Sequence, residues 1–343
     1  MDGTQFGAKR YGARIRSRRA LRARLTLGLA IGLLINPVGG QTATYPDRPL
    51  RILVGFAAGG GTDVAARIVA QKMSEGLGQS CVVENRPGAS GMLATEAVAR
   101  SVPDGYTLMV GSQTTLAVAP TLYRRFAIDP PRDFIGLALI GVSPLVLVVH
   151  PSVPVRSVHD VIAMAKVNPG GVNFGSGGLG TTPHMAGELF AITAGIKMQH
   201  IAYRGEAPAI NDVIGGQLHL IFANLSAVVG NVKAGSLRAI AVTSAERSAV
   251  APDIPTVAES GLPGFEAATW FALVGPTGLP RDIVLRLNGE AQRVLALPDV
   301  KQRFVDLGMT TATATPDDLD ALIRSEVVKW SRVIKEADIR APD

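Results

Sequence analysis

Two stretches of the chain share one order of elements: an apolar run, a glycine-rich segment and a helical pattern. The first, LRILVGFAAGGGTDVAARI, begins at Leu50, and the second, VNFGSGGLGTTPHMAGELF, begins at Val172, about 120 residues later. Continuous apolar runs that alternate with helical patterns are typical of parallel strands covered on both faces by helices. The repeat therefore predicts an α/β fold of two lobes, each with its own glycine-rich loop, rather than one long sheet.

Short apolar runs alternate with amphipathic stretches throughout the chain after residue 44. The amphipathic stretches include Thr62–Leu77 and His184–Ala194, the second of which Thr182 can cap. The C-terminal third is predicted to be mostly helical, with one helix beginning near residue 315. The predicted strands are Arg51–Gly55, Cys81–Glu84, Tyr106–Val110, Leu145–Val149, Val172–Phe174, Gln199–Tyr203, Leu218–Phe222 and Ala239–Thr243.

The first 40 residues have the parts of a secretory signal peptide. Eight Lys and Arg residues stand against one acid, Asp2, and the apolar run LTLGLAIGLLI and small residues follow. That run has 11 residues, whereas a membrane-spanning helix needs about 20. We therefore predict a signal peptide over residues 1–43 and export of the mature protein to the periplasm. The basic segment favours Sec export, and SRRALRA at Ser17–Ala23 keeps the twin-arginine route open.

The positive charge of the chain is concentrated in the same segment. The whole chain carries a formal charge of +6, residues 1–40 alone carry +7, and the other 303 residues therefore carry −1. Nucleic-acid binding depends on a basic face that displaces counterions from phosphates. The near-neutral mature chain argues against a nucleic-acid partner.

The first glycine-rich segment, GFAAGGGT at Gly55–Thr62, differs from a phosphate-binding loop at one position. That loop has the pattern G-x-x-x-x-G-K-[ST], and Gly61 stands where the lysine belongs. A dinucleotide fingerprint fails as well, because Val64 occupies a position that needs glycine or alanine. A glycine turn at a helix start still offers main-chain N–H groups and a positive dipole end to an anion. We expect a carboxylate at this loop and at the second, GSGGLGTT at Gly175–Thr182, with plain tight turns as the alternative.

Further ligand contacts are expected where other predicted strands end, because ligands of open α/β sheets bind beyond the carboxyl ends of strands. The residues at these ends that can donate hydrogen bonds or offer close main chain are Ser112, Gln113, Thr114, Tyr203, Arg204, Gly205 and Asn224. Arg204 is the strongest carboxylate partner among them, since its planar guanidinium matches two oxygens. A solvated loop charge is the alternative for Arg204.

The sequence lacks the patterns of the common catalytic and metal sites. GASGM at Gly88–Met92 does not have the spacing of a G-x-S-x-G elbow, and the five histidines form no H-E-x-x-H pair. The single cysteine, Cys81, has apolar neighbours that favour a buried thiol over a nucleophile. We therefore expect a binding protein and not an enzyme, with no cofactor and no metal.

Five motifs occur in the order of one known family. They are YPDRPLRILVGFAAGGGTDVAARIVAQKM, VVENRPGASGMLATEAVA, PDGYTLMVGS, YRGEAPAINDVIGGQ and IPTVAESGLPGFE, and the similarity runs from Tyr45 to the C-terminus. Together they resemble the Bug-type periplasmic solute-binding proteins, which are the substrate-binding components of tripartite tricarboxylate transporters.

The resemblance implies a two-lobed periplasmic binding protein fold of the Venus-flytrap type (type II), with the ligand cleft between the lobes. Lobe 1 would comprise residues 44–141 and 266–343, and lobe 2 residues 142–265. In the family, two loops grip one carboxylate, partly through ordered waters, and here these loops are Phe56–Asp63 and Ser176–His184. With the strand ends, the expected ligand-binding residues are Phe56, Ala58, Gly59, Gly60, Thr62, Asp63, Ser112, Gln113, Thr114, Ser176, Gly177, Gly178, Thr181, Thr182, His184, Tyr203, Arg204, Gly205 and Asn224.

Three positions depart from the family's pattern. Gly55 stands where proline is frequent, and His219 and Asn224 stand where aspartate is frequent. Since Asn224 brings no negative charge to the cleft, we expect the site to disfavour an ammonium group. The predicted ligand is a di- or tricarboxylate or an aromatic acid.

The function implied by the resemblance is capture of a small carboxylate by closure of the cleft and delivery to membrane transporter subunits. We expect the protein to act as a monomer. Two alternatives stay open: a carboxylate sensor that feeds a signalling receptor, and an extracytoplasmic enzyme on the same fold, which the missing catalytic patterns disfavour.

Overall fold

The computed structural model of the chain describes residues 45–123, 125, 127–203 and 205–341. The predicted signal peptide and Arg204 lie outside the described residues. The strands are β1 Leu50–Val54, β2 Cys81–Asn85, β3 Thr107–Ser112, β4 Phe134–Val149, β5 Asn173–Ser176, β6 Gln199–Ala202, β7 Leu220–Asn224, β8 Arg238–Val242, β9 Ala268–Pro276 and β10 Thr310–Thr311. The helices are α1 Gly61–Leu77, α2 Met92–Ala99, α3 Ala119–Leu122, α4 Pro130–Asp133, α5 Val158–Val167, α6 Thr182–Ala194, α7 Glu206–Ile214, α8 Leu225–Lys233, α9 Arg281–Ala296, α10 Pro298–Asp306 and α11 Pro316–Glu336.

The strands follow one hydrogen-bonded path in the order β2-β1-β3-β9-β4-β7-β5-β6, with β8 and β10 also paired to β4. β1 is parallel to β2 and β3, and β5 is parallel to β6 and β7. Each glycine-rich loop therefore leaves the carboxyl end of a strand with parallel neighbours on both sides. This confirms the predicted α/β class and the equivalent placement of the two loops.

The long strand β4 connects the two halves of the path. Phe134–Pro144 pairs antiparallel with β9, and from Leu145 onward β4 pairs with β7 and β8 instead. The chain returns near Ala267, whose N–H donates to the Thr243 carbonyl over 2.8 Å, just before β9 begins. The lobe boundaries at residues 141–142 and 265–266 stay a prediction, and the exchange of strand partners lies within a few residues of both.

The helices form where the sequence carries an apolar stripe between suitable end residues. Gly78 ends α1 in the left-handed region with φ 69°, as a glycine at that position allows. The side chain of Thr315 accepts the N–H of Asp318 and caps α11, which begins near residue 315 as predicted. No helix within the described ranges has both the length and the apolar character that a membrane crossing needs.

The central strand β9 is the main element that the sequence did not predict. The C-terminal third was expected to be mostly helical, yet β9 pairs with β3 on one side and β4 on the other. Its residues Thr269–Pro276 are buried, so the strand has no polar alternation. A short apolar run of this kind cannot be distinguished from a buried helix segment by its periodicity.

One buried carboxylate joins β9 to α11. Glu326, 9% exposed, accepts the indole N–H of Trp270 over 3.0 Å and that of Trp330 over 2.7 Å on the same oxygen. The ammonium group of Lys329 lies 3.2 Å from its other oxygen. Both indoles depend on this single acceptor, because a buried N–H without a partner is costly.

Replacing Glu326 with alanine should lower the free energy of unfolding by about 2–5 kcal/mol, because two buried indole N–H groups lose their acceptor. Urea denaturation of wild type and variant measures the difference. Glu336→Ala, at an exposed position of the same helix, is the matched control. A loss no larger than that of the control would contradict the role assigned to Glu326.

Candidate functional site

The first glycine-rich loop joins β1 to α1 and leaves the helix start without a side-chain cap. Gly60 occupies the N-cap position with φ −74° and ψ 162°, and among the described residues the start of α1 has no side-chain capping hydrogen bond. The first N–H groups of an α-helix have no partner within the helix, and the helix dipole makes this end positive. The loop therefore presents main-chain donors that an anion can accept.

Asp63 holds this loop from behind. Its carboxylate accepts the N–H of Gly59 over 2.9 Å and the amide of Asn85 over 2.8 Å, and Arg67 forms an ion pair with it at 3.0 Å. Asn85 also donates to the Phe56 carbonyl over 3.0 Å. Burial by itself raises the pKa of Asp63, but the bonds from Arg67, Gly59 and Asn85 outweigh it, so that the pKa is lowered. Asp63 thus stays ionised and fixes the loop; it does not line the cavity described below.

The second glycine-rich loop joins β5 to α6 in the same way. Thr181, one residue before the predicted cap Thr182, occupies the N-cap position, and again no side chain caps the first turn. Ser176 organises the loop, because its hydroxyl donates to the Gly178 carbonyl and accepts the Gly178 N–H, each over 3.1 Å. The N–H of Gly180 donates to Nδ1 of His184 over 3.0 Å. This second helix start also presents main-chain donors.

Two stacked histidines support the second loop. The rings of His184 and His200 lie 3.8 Å apart, and Nε2 of His200 is 2.6 Å from the Ser176 hydroxyl. Burial, and then the neighbouring His184, lower the pKa of His200 to about 3. His200 is therefore neutral at physiological pH.

Both loops line one cavity of about 760 Å³. Of the predicted site residues, the first loop contributes Phe56, Ala58, Gly59, Gly60 and Thr62 to its wall. The second loop contributes Gly177, Thr181 and Thr182, and the strand ends contribute Ser112, Thr114, Gly205 and Asn224. The two loops, predicted from separate parts of the sequence, thus face the same space.

Six other predicted residues do not line the cavity, and each is bonded to other groups of the protein instead. Asp63, Ser176, Gly178 and His184 belong to the supports of the two loops. The hydroxyl of Tyr203 donates to Asp212. The amide oxygen of Gln113 accepts the Thr182 hydroxyl over 2.7 Å, a bond between the end of β3 and the start of α6. The seventh, Arg204, is outside the described residues.

An apolar part of the cavity wall was not predicted. It is formed by Val64, Ile210, Ile214, Phe271, Leu307 and Met309. Phe271 belongs to β9, and neither the strand nor this residue was predicted from the sequence. These side chains give the cavity a surface that suits the hydrocarbon part of an organic ligand.

Glu206 is a residue of the cavity wall that was not predicted as a ligand contact. It is the only ionisable side chain among the described residues that line the cavity. Its two carboxyl oxygens accept the main-chain N–H of Asn224 over 2.6 Å and its side-chain amide over 2.8 Å. Burial raises the pKa of Glu206, and the bonds from Asn224 oppose the rise. Asn224 itself brings no charge, as the sequence indicates, but it holds a carboxyl group at the cavity wall, which removes the ground for expecting the site to disfavour an ammonium group.

The signal for Glu206 was present in the sequence. It directly follows Gly205 in YRGEAPA, at the start of a helix, where an acidic residue is favoured by the dipole. The contact with Asn224, 18 residues later, could not be inferred from the sequence.

Among the described residues no group of three His, Cys, Asp or Glu side chains could hold a metal ion.

The lowered pKa of His200 makes stability depend on pH. Between the ordinary histidine pKa of about 6.5 and the folded value of about 3, the unfolded chain binds a proton that the folded chain does not. The free energy of unfolding should therefore fall as the pH is lowered from 6.5, and His200→Gln should remove part of this fall.

Urea denaturation at pH 7, 6, 5 and 4 measures both slopes. His159→Gln, at an exposed position of α5, controls for the loss of a histidine. A slope in His200→Gln equal to that of wild type would show that His200 is not held neutral by the fold.

Known proteins resemble this chain over most of its length. The model of the tripartite tricarboxylate transporter family receptor matches residues 65–339. Protein BugT of Bordetella pertussis is 38% identical over 294 residues, which are 85% of this chain and 90% of that protein.

Two solved structures agree with the sequence comparison. Rpa4515 of R. palustris, solved with adipate, has a TM-score of 0.76 and 36% identity, covering 86% of this chain and 99% of that one. The periplasmic binding protein BugD has a TM-score of 0.74 and 33% identity, with coverage of 86% and 99%. The chain is therefore similar to the same group of proteins both in its sequence and in its fold.

Proposed function

The chain belongs to the tripartite tricarboxylate transporter receptor family, and from this membership we propose that it captures a small carboxylate in the periplasm. It is a Bug-type solute-binding protein with the two-lobed α/β fold of periplasmic binding proteins. In the proposed role it passes the bound acid to the membrane subunits of a transporter. Export through the predicted signal peptide, residues 1–43, is part of the proposal.

The observation that carries the proposal is that two uncapped helix starts face one cavity. The first turns of α1 and α6 offer main-chain N–H groups, and Gly60 and Gly177 keep the approach to the main chain open. None of the described lining residues is a lysine or an arginine. Neutral donors at two positive dipole ends suit a carboxylate better than a more highly charged phosphate group.

Capture would proceed by closure of the two halves on the ligand. One carboxylate accepts hydrogen bonds from both loops, so it binds the closed state more tightly than the open one. Micromolar affinity corresponds to about −8 kcal/mol, and charge-assisted hydrogen bonds contribute about 1.5–3 kcal/mol each. A few such bonds, together with apolar contact, are enough for this affinity.

The ligand that we propose is a di- or tricarboxylate or an aromatic acid. A related protein, Rpa4515, was solved with adipate, a dicarboxylate. Phe56 and Phe271 in the cavity wall provide contacts for a ring or a hydrocarbon chain. Catalysis is not part of the proposal, since the cavity wall holds a single ionisable side chain, Glu206, among the described residues.

Gly60→Val should abolish or weaken carboxylate binding at least tenfold (~1.4 kcal/mol) while the fold is kept. Gly60 has an ordinary φ of −74°, and the nearest atom to an added Cβ is 3.6 Å away, so the main chain accepts a Cβ here. Because Gly60 lines the cavity, we expect the branched side chain to obstruct the approach to the first loop. Gly178 is less suitable, because its φ of +131° would add backbone strain.

A thermal-shift panel of succinate, adipate, citrate and benzoate, followed by calorimetry on each binder, measures the effect. Gly289→Val, in open space on the exposed side of α9, is the matched control. Unchanged affinity in Gly60→Val would reject the role of the first loop.

A further inference from the structure

The carboxyl group of Glu206 is fixed at the wall of the cavity. Both of its oxygens accept hydrogen bonds from Asn224, over 2.6 and 2.8 Å. Asn224 also lines the cavity, and its amide oxygen lies 3.4 Å from the Ser143 hydroxyl, which fixes the orientation of the amide. The carboxyl group is therefore held as an acceptor, and each oxygen keeps a further lone pair.

Among the described residues, no oppositely charged side chain forms an ion pair with Glu206. β5 and β7, which pack against α7, contain no ionisable residue. On α7 itself the other acid, Asp212, accepts the hydroxyl of Tyr203. The only ionisable residue of α8, Lys233, is the last residue of that helix. Within the described part of the chain, Asn224 alone supports the carboxyl group.

Glu206 also lies beside the second glycine-rich loop. The N–H of Gly205 donates to the Gly177 carbonyl over 3.2 Å, and a Cβ on Gly177 would lie 3.1 Å from the Glu206 nitrogen. When a ligand carboxylate binds at this loop, the ligand atoms next to that carboxylate lie close to Glu206. A second carboxylate there would be repelled, whereas a hydroxyl or an ammonium group would donate a hydrogen bond.

We propose that Glu206 selects acids that carry a hydroxyl or ammonium group within a few bonds of the anchored carboxylate. The preferred ligand is then a hydroxy- or amino-substituted acid rather than an acid with a plain hydrocarbon chain. This inference rests on the proposed carboxylate binding. Such a donor also offsets the desolvation of the Glu206 charge when the cleft closes, because a buried charge needs a partner.

Matched acids that differ at one position test the inference. Succinate, malate and aspartate form one set, and 3-phenylpropionate, 3-phenyllactate and phenylalanine form the other. Calorimetry at pH 7.5 should show that wild type binds a hydroxy or amino member roughly tenfold or more tightly than the plain member of its set. The hydroxy and amino arms show which of the two donors is preferred.

Glu206→Gln should reduce this preference to about threefold or less, because the amide keeps the shape but loses the charge. Asp212→Asn removes a carboxylate from the same helix away from the cavity, and it should keep the wild-type preference. Thermal unfolding without added acid shows whether each variant is folded.

Two results would overturn the inference while carboxylate binding stands. One is equal affinity for plain and substituted acids in wild type, unchanged in Glu206→Gln. The other is preferred binding of succinate with uptake of a proton, measured in buffers of different ionisation enthalpy, since Glu206 would then be the donor. If no acid binds the folded wild type, the proposed function fails and the inference falls with it.

Discussion

The unpartnered N–H groups in the first turns of α1 and α6 determine what the cavity can bind. A helix start usually has a serine, threonine or aspartate side chain that accepts one of these groups. Here Gly60 and Thr181 occupy the two N-cap positions without such a bond. The donors are therefore left for a ligand, and the absence of lysine and arginine from the described wall limits the charge that they can balance.

Several polar residues near the two loops form hydrogen bonds that hold the loops and do not line the cavity. Asp63 accepts the Gly59 N–H, and Ser176 makes two bonds with Gly178. His200 then supports Ser176 from the next strand. These bonds fix the main chain before a ligand arrives, which lowers the ordering cost of binding. Several residues that the sequence indicates as ligand contacts are better understood as supports.

The sequence predicted the parts that depend on local patterns. The two glycine-rich loops, α1, α6 and the start of α11 follow from apolar spacing and end residues, and the strands preceding the loops follow from continuous apolar runs. β9 was missed because ATWFALVGP carries no periodicity that separates strand from helix. Glu206 was missed because its role depends on Asn224, which is distant in sequence and adjacent only in the fold. Pairs of this kind require tertiary structure.

The central claim is that the cavity between the two loops holds a carboxylate. The most direct measurement is mass spectrometry of the small molecule released when gently purified wild-type protein is unfolded. The account predicts a carboxylic acid, small enough for a cavity of about 760 Å³, in a ratio near one per protein chain. A ligand released in that ratio without a carboxyl group would contradict it.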